Sequence, residues 1–208
     1  MKNRTLILRL AWLTLIGFSA VGFVIADVFM DISPAEMLSS DYPLLTQILF
    51  GGLTGWLCGL IAWTVITLPF MKKVRDKYTD LFLRSLRLRP RDVLFISFCA
   101  GVGEEILFRG GLQPIMGLWI TSVVFVAIHG YLNPMSWRVS VYGVTMTGII
   151  ILLGWQSVEF GLVTSMSAHT VIDIYLLFKL TEPDHTEPSE PELLFDGISK
   201  SSEEETST

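Results

Sequence analysis

The chain has 208 residues, of which 51% are hydrophobic and 17% are charged, and its formal net charge is −5. This composition excludes an ordinary soluble domain, because the apolar residues form runs close to the roughly 20 residues that a helix needs to cross a bilayer. The negative charge does not identify a partner, since much of it lies after residue 186. Cys58 and Cys99 lie inside apolar runs and imply no disulfide.

The first apolar run extends from Leu6 to Ala26 and follows the basic residues Lys2 and Arg4. A basic start before an apolar run is also typical of a secretory signal peptide, and Val24-Ile25-Ala26 loosely resembles a cleavage site. The run is long for the apolar core of a signal, and further runs follow it. We therefore interpret it as a retained first helix, with a cleaved signal peptide as the alternative.

The next segments predict the orientation of the chain. An acidic connector, residues 27–41, leads to a second span over residues 44–71. This span carries Gly51-x-x-x-Gly55-x-x-x-Gly59, a pattern that is typical of close helix packing. The loop from Lys72 to Arg91 then carries eight basic residues. Because positive charge marks cytoplasmic loops, we expect this loop and both termini in the cytoplasm, and we do not expect nucleic acid as a partner.

Four further spans are predicted, over residues 92–108, 112–130, 136–153 and 160–180. The predicted fold class is therefore all-α, a polytopic transmembrane bundle of about six helices that occupies residues 1–180. Residues 181–208 form a tail rich in Pro, Ser, Thr and Glu, which we expect to be disordered because this composition cannot build a core. We expect the plasma membrane of a prokaryote as the location, with membrane lipid as a partner.

Ionisable side chains interrupt the third span. Glu105 and Arg109 are four residues apart and share one face of a helix, which is the geometry of an ion pair. Glu104 is displaced by about 100° from Glu105, so Arg109 cannot easily serve both carboxylates. Glu104 is then either a general base in a poorly hydrated cavity or a residue that caps or hydrogen-bonds a neighbouring helix.

Two histidines bring polar groups to two other spans. His129 lies at the end of the fourth span, four residues after Phe125, and His169 shares a helix face with Asp173 in the last span. Each group alone has a structural explanation. Charges inside a membrane cost roughly 2.5–3.5 kcal/mol each, however, so one polar site shared by three helices is the more economical interpretation.

The three pairs together resemble the signature of the CPBP membrane proteins, read here as Glu104-Glu105-x-x-x-Arg109, Phe125-x-x-x-His129 and His169-x-x-x-Asp173. This group contains the type II CAAX prenyl endopeptidases and bacteriocin-processing proteins, which are described as glutamic intramembrane proteases. The resemblance covers about residues 91–180. It implies an integral membrane endopeptidase that hydrolyses peptide bonds near the membrane surface, in CAAX-type or leader-peptide processing.

The resemblance also implies a role for each residue. Glu104 would activate a water with the help of His129, and His169 with the residue at 173 would stabilise the developing oxyanion. The supporting residues would be Glu105, Arg109 and Phe125. The family commonly has Asn where this chain has Asp173, and an ionised Asp cannot donate a hydrogen bond to an oxyanion. We therefore interpret Asp173 as the residue that orients His169.

Several alternatives remain open at this stage. Two Glu and two His could bind Zn²⁺, but the chain contains no His-Glu-x-x-His, and we expect no resident cofactor. The expected partner is a peptide or protein substrate, lipidated substrates included. The competing functions are a non-catalytic immunity or scaffold protein that binds a partner through the same cavity, and a small proton-coupled transporter.

The predicted boundaries leave one geometric problem. Counted from Asp92, Glu104 lies about 18 Å along its helix, whereas His129 lies near the cytoplasmic end of the fourth span. For the two side chains to share a water, the fourth helix must extend past Gly130 or the third must begin deeper in the membrane.

Overall fold

The structure is a computed structural model that describes residues 2–80 and 88–181, and within these ranges it contains helices and no strand. The predicted all-α class is therefore confirmed. The tail predicted to be disordered, residues 182–208, lies outside the described residues.

Ten α-helices follow one another in the described parts of the chain: α1 (Lys2–Leu13), α2 (Ser19–Met30), α3 (Pro34–Met37), α4 (Leu44–Ile66), α5 (Lys72–Asp80), α6 (Pro90–Glu105), α7 (Gln113–Met116), α8 (Leu118–Ile128), α9 (Trp137–Glu159) and α10 (Leu162–Thr181). The π-helical segment Thr14–Phe18 joins α1 to α2, and a second π-helical segment, Ile106–Leu112, joins α6 to α7. Both junctions are continuous, so α1–α2 and α6–α7 are two long helices.

Within the described residues, three helical stretches are long and apolar enough to cross a membrane: Arg4–Met30, Leu44–Ile66 and Trp137–Glu159. A fourth apolar helix, α8, is shorter than a full crossing. The remaining long helices, α6–α7 and α10, carry most of the ionisable residues of the predicted site. The structure thus supports a membrane-embedded helical bundle, while the number of crossings stays a prediction.

The connector between α2 and α4 is partly ordered by local capping. Ser33 caps α3, and its hydroxyl and backbone N–H both donate to the carboxylate of Glu36, 2.6 and 2.8 Å away. These hydrogen bonds stabilise the ionised form and hold the pKa of Glu36 below its ordinary value. The predicted acidic connector therefore contains one short capped helix.

The boundary predicted between the third and fourth spans is wrong. We expected a break at residues 109–111, but the helix continues to Met116 and the chain turns at Gly117, whose φ of +81° suits glycine. Gly110 and Gly111 serve packing instead, because a Cβ on either would meet Met37 or Gly22. The second span also ends earlier than predicted, at Ile66, shortly before Pro69.

Helix α10 lies at the centre of the bundle and packs against α4, α6 and α9. The predicted glycine ridge of α4 forms the contact with α10, since a Cβ on Gly51 or Gly55 would meet the carbonyl oxygen of Thr164 or Ala168, respectively. This close approach places the middle of α10, which carries His169, between α4 and α6.

Candidate active site

The four residues predicted to be catalytic lie around one cavity of about 230 Å³. Glu104 comes from α6, His129 follows the end of α8, and His169 and Asp173 come from α10. The other residues that line it are mainly apolar or aromatic: Trp63, Ile66, Phe125, Tyr131, Tyr142, Met146, Ile150, Ile172, Leu176, Leu177 and Leu180. One end of the cavity is thus polar and the rest is apolar.

The turn at Gly117 brings Glu104 and His129 to the same depth. Glu104 precedes this turn by 13 residues and His129 follows it by 12, which places them about 20 and about 18 Å from the turn along their helices. Neither adjustment that we expected occurs: α8 ends at Ile128, and α6 begins at Pro90 as predicted to within two residues. Instead, the helix that carries Glu104 continues through α7 to Met116, and this extension brings the two side chains to the same depth.

His129 is held by the residue one turn before it. Its Nδ1 lies 2.7 Å from the carbonyl oxygen of Phe125, and since a carbonyl can only accept, Nδ1 carries the proton. The imidazole also stacks on the Phe125 ring, with 4.4 Å between the ring centroids. These two contacts turn Nε2 of His129 toward Glu104.

Glu104 faces both histidines. Its Oε2 lies 3.5 Å from Nε2 of His129 and 4.0 Å from Nε2 of His169. This oxygen is buried and has no hydrogen-bond partner among the described residues. In the neutral form of His129 the facing nitrogen also accepts hydrogen bonds, so the pair needs a donor between its two atoms.

His169 is oriented by Glu105. Its Nδ1 lies 2.9 Å from Oε1 of Glu105, whose other oxygen lies 3.3 Å from Nε of Arg109. The predicted pair of Glu105 and Arg109 is therefore present, and it extends to a third residue. Asp173 lies 3.7 Å from Nε2 of His169, which is longer than a hydrogen bond. Thus Glu105, and not Asp173 as we had interpreted, supplies the hydrogen bond that fixes His169.

Arg109 ties this group to two more helices. Its Nη2 donates to the carbonyl oxygen of Ile150 in α9, 3.4 Å away, and its guanidinium lies over the Phe125 ring at 5.4 Å. The side chains of Arg109 and Glu105 are both fully buried. Since a buried charge is tolerated only when paired, these contacts explain how both residues remain in the interior.

The sequence did not point to several residues of the cavity wall. Tyr131 lies beside His129, with 6.1 Å between ring centroids, and Tyr142 contacts Tyr131 edge to face at 5.3 Å. Trp63 and Ile66 reach the cavity from α4, whose only motif in the sequence analysis was the glycine packing pattern. No sequence signal could have identified them, because they depend on which helices become neighbours.

The residues do not form a recognisable metal centre. Within residues 2–80 and 88–181, no group of three or more His, Cys, Asp and Glu side chains is placed to hold a metal ion. The Nδ1 atoms of His129 and His169 are both engaged with protein acceptors, which leaves one nitrogen of each ring facing the cavity.

Comparison with known proteins identifies the part of the chain that carries the site. Residues 88–175 match a family described as Rce1-like, type II CAAX prenyl endopeptidase Rce1-like. The uncharacterized protein YpbD of Bacillus subtilis (strain 168) is 37% identical over 83 residues, which are 39% of this chain and 41% of YpbD. No solved structure matches the chain. The resemblance inferred from the three motifs is therefore confirmed for this segment.

Proposed function

Residues 88–175 are Rce1-like, and from this premise we propose that the protein is an integral membrane endopeptidase that hydrolyses peptide bonds near the membrane surface. This proposal is supported by the observation that Oε2 of Glu104 and Nε2 of His129 face each other, 3.5 Å apart, in a cavity that His169 and Asp173 also line. The reaction is CAAX-type or leader-peptide-type processing.

In the proposed first step, a water bound between Glu104 and His129 donates hydrogen bonds to Oε2 and Nε2. The water oxygen attacks the carbonyl carbon of the scissile bond while Glu104 accepts one of its protons. Glu104 then gives this proton to the nitrogen of the leaving amine, so that the carboxylate is regenerated. The role of His129 is to position the water, since its proton on Nδ1 is held by the Phe125 carbonyl.

The developing oxyanion is proposed to bind at His169. With Nδ1 donating to Glu105, a proton on Nε2 makes the ring an imidazolium that points a donor into the cavity. Glu105 compensates this charge, and Arg109 balances Glu105 from the other side. Asp173, 3.7 Å from Nε2, adds a second negative group that favours the protonated ring.

We propose that the reaction needs no metal ion. Hydrolysis by the purified protein should then persist after treatment with EDTA and 1,10-phenanthroline. Loss of activity with chelators, followed by recovery on adding Zn²⁺, would instead assign Glu104 and the histidines to a metal.

The proposed orientation follows from the charge of the chain. A multi-pass arrangement in the plasma membrane of a prokaryote, with the basic residues from Lys72 to Arg91 and both termini in the cytoplasm, agrees with the positive-inside rule. The expected partners are membrane lipid and a peptide or protein substrate. Cysteines introduced near Asp27 and Lys72 should react with an impermeant reagent from opposite sides of the membrane.

The main test compares the membrane proteomes of cells that express the wild type or Glu104→Gln. A peptide terminus that appears with the wild type should disappear with Glu104→Gln and with His129→Ala, while the amount of protein in the membrane is unchanged. Asp27→Asn is the matched control, because Asp27 is an exposed carboxylate outside the cavity. Full processing by both site variants would exclude the protease and favour a binding protein.

A further inference from the structure

Two aromatic rings from different helices stack on the surface where α4 ends and α9 begins. Phe70 lies in the 3₁₀ turn after α4 and packs against Trp137, the first residue of α9, with 5.4 Å between the ring centroids. Trp137 is 58% exposed, and Met135 beside it is 92% exposed. We call Phe70, Met135 and Trp137 the aromatic patch. Exposed aromatic side chains at the ends of membrane helices are typical of the headgroup level of a bilayer.

Basic side chains border the aromatic patch. Lys72 and Lys73 follow Phe70 at the start of α5, and both are exposed. The guanidinium of Arg138 lies over the Trp137 ring, 5.1 Å from its centroid. Nε of Arg138 is buried and has no hydrogen-bond partner among the described residues. Because a guanidinium donates hydrogen bonds and cannot accept them, this N–H is available to an oxygen acceptor.

This combination of charge and apolar surface fits an anionic phospholipid. The phosphate oxygens of its headgroup can accept hydrogen bonds from the Lys and Arg side chains, while its acyl chains cover the exposed apolar side chains. A zwitterionic headgroup also carries a cation, which these basic residues repel. The basic loop from Lys72 to Arg91 is the one proposed to lie in the cytoplasm, and the cytoplasmic leaflet carries the anionic lipids.

We propose that the aromatic patch and its basic border bind the headgroup of an anionic phospholipid, which bridges the end of α4 and the start of α9. Both helices also form walls of the candidate active site: Trp63 and Ile66 line it from α4, and Tyr142 lines it from α9. A lipid that binds only the folded arrangement of the two helix ends stabilises this arrangement by mass action. The inference concerns lipid binding alone and goes beyond the proposed hydrolysis.

The test adds phosphatidylglycerol or phosphatidylcholine to the purified protein in detergent micelles and measures bound lipid by native mass spectrometry, together with the melting temperature. Phosphatidylglycerol should bind more tightly and raise the melting temperature further. Lys73→Gln combined with Arg138→Gln should weaken its binding by about fivefold for each charge removed. The rise in melting temperature should shrink accordingly.

Arg91→Gln is the matched control. It removes an exposed cation from the same basic loop, at the start of α6, which packs against α1 and α10 and lies outside the aromatic patch. This variant should bind phosphatidylglycerol as the wild type does. Lys72→Gln combined with Lys73→Gln is a second test variant that changes exposed residues only and keeps the contact of Arg138 with Trp137. Its binding should also weaken, so a folding defect at Arg138 does not hide the result.

Three outcomes would overturn the inference. The first is equal binding of the two lipids by the wild type, and the second is wild-type affinity for phosphatidylglycerol in both double variants. The third concerns inorganic phosphate, which should leave the melting temperature unchanged. A rise with phosphate as large as that with phosphatidylglycerol would assign the basic residues to a free anion. None of these measurements depends on peptide hydrolysis, so their result is distinct from the success or failure of the proposed protease.

Discussion

Glu104 and Glu105 are neighbours in the sequence, but their surroundings differ completely. The side chain of Glu104 is 14% exposed and faces the cavity, whereas that of Glu105 is 0% exposed and lies between Arg109 and His169. One carboxylate is therefore available to a substrate, and the other compensates buried positive charge.

This difference predicts that the substitution of Glu by Gln affects activity at position 104 and stability at position 105. Glu104→Gln should abolish hydrolysis and leave thermal stability nearly unchanged. Glu105→Gln should lower stability by roughly 3–5 kcal/mol, because it leaves Arg109 as an unpaired buried charge. Thermal unfolding in detergent checks both, and Glu105→Gln combined with Arg109→Met should recover part of the loss. Equal stability of the two single variants would contradict the assignment.

This chain has Asp173 where the family that it resembles commonly has Asn. The distance between Asp173 and His169 predicts that the enzyme tolerates the substitution Asp173→Asn. Because the carboxylate makes no hydrogen bond to His169, Asp173→Asn should keep hydrolysis within about tenfold of the wild type, with the amide able to donate to the oxyanion. The measurement is kcat and KM for a processed peptide. A loss of about 10²–10³-fold, the cost of losing an oxyanion donor, would show that the charge itself is required.

At the scale of the helices, the site is positioned by helices that approach closely at glycines, which have no side chain. Gly55 of α4 touches the backbone of Ala168, the residue before His169. Gly103 of α6 and Gly22 of α2 make similar contacts between the long helices α1–α2 and α6–α7, against Thr14 and Ile106. Added side chains at these points would separate helices that carry or support the polar cluster.

Gly55→Ala should therefore displace α4 from α10 and move His169. We expect a loss of about 1–3 kcal/mol in stability, typical of overpacking, together with reduced hydrolysis. Gly148→Ala is the matched control, since no atom of the described residues lies within 4 Å of a Cβ there, and it should be neutral or stabilising by up to about 1 kcal/mol. Similar melting temperatures for the two variants would contradict the packing argument.

At the scale of the whole molecule, the first helix is part of the support of the site. Arg4 donates two hydrogen bonds of 2.6 Å to Asp92 at the start of α6, and Asp92 is buried. Further along, α2 packs against the π-helical segment after Glu105. These contacts support the interpretation of residues 6–26 as a retained helix.

The protein purified from membranes should accordingly have an intact mass that includes residues 1–26. Arg4→Ala should lower the melting temperature, since among the described residues it leaves the buried carboxylate of Asp92 with the Arg89 backbone N–H as its one hydrogen-bond donor. A mature chain that begins at Asp27 would establish the signal-peptide alternative and exclude any role of the first helix.

The sequence by itself determined the helical membrane class and the candidate polar residues. Both follow from local properties: the length of apolar runs, the cost of charge within them, and the spacing of four residues that places Glu105 with Arg109 or Phe125 with His129 on one face. Even there, the predicted break at residues 109–111 was wrong, because sequence does not distinguish a glycine in a turn from a glycine such as Gly110 or Gly111 that serves packing.

Only the tertiary structure decided how these residues meet. The turn at Gly117 places Glu104 and His129 at similar distances along their two helices. His169 hydrogen-bonds to Glu105, and Trp63 lines the cavity. The physical reason is that distances between helices depend on where the chain turns and on which faces pack together, and these are set by contacts between residues far apart in the sequence.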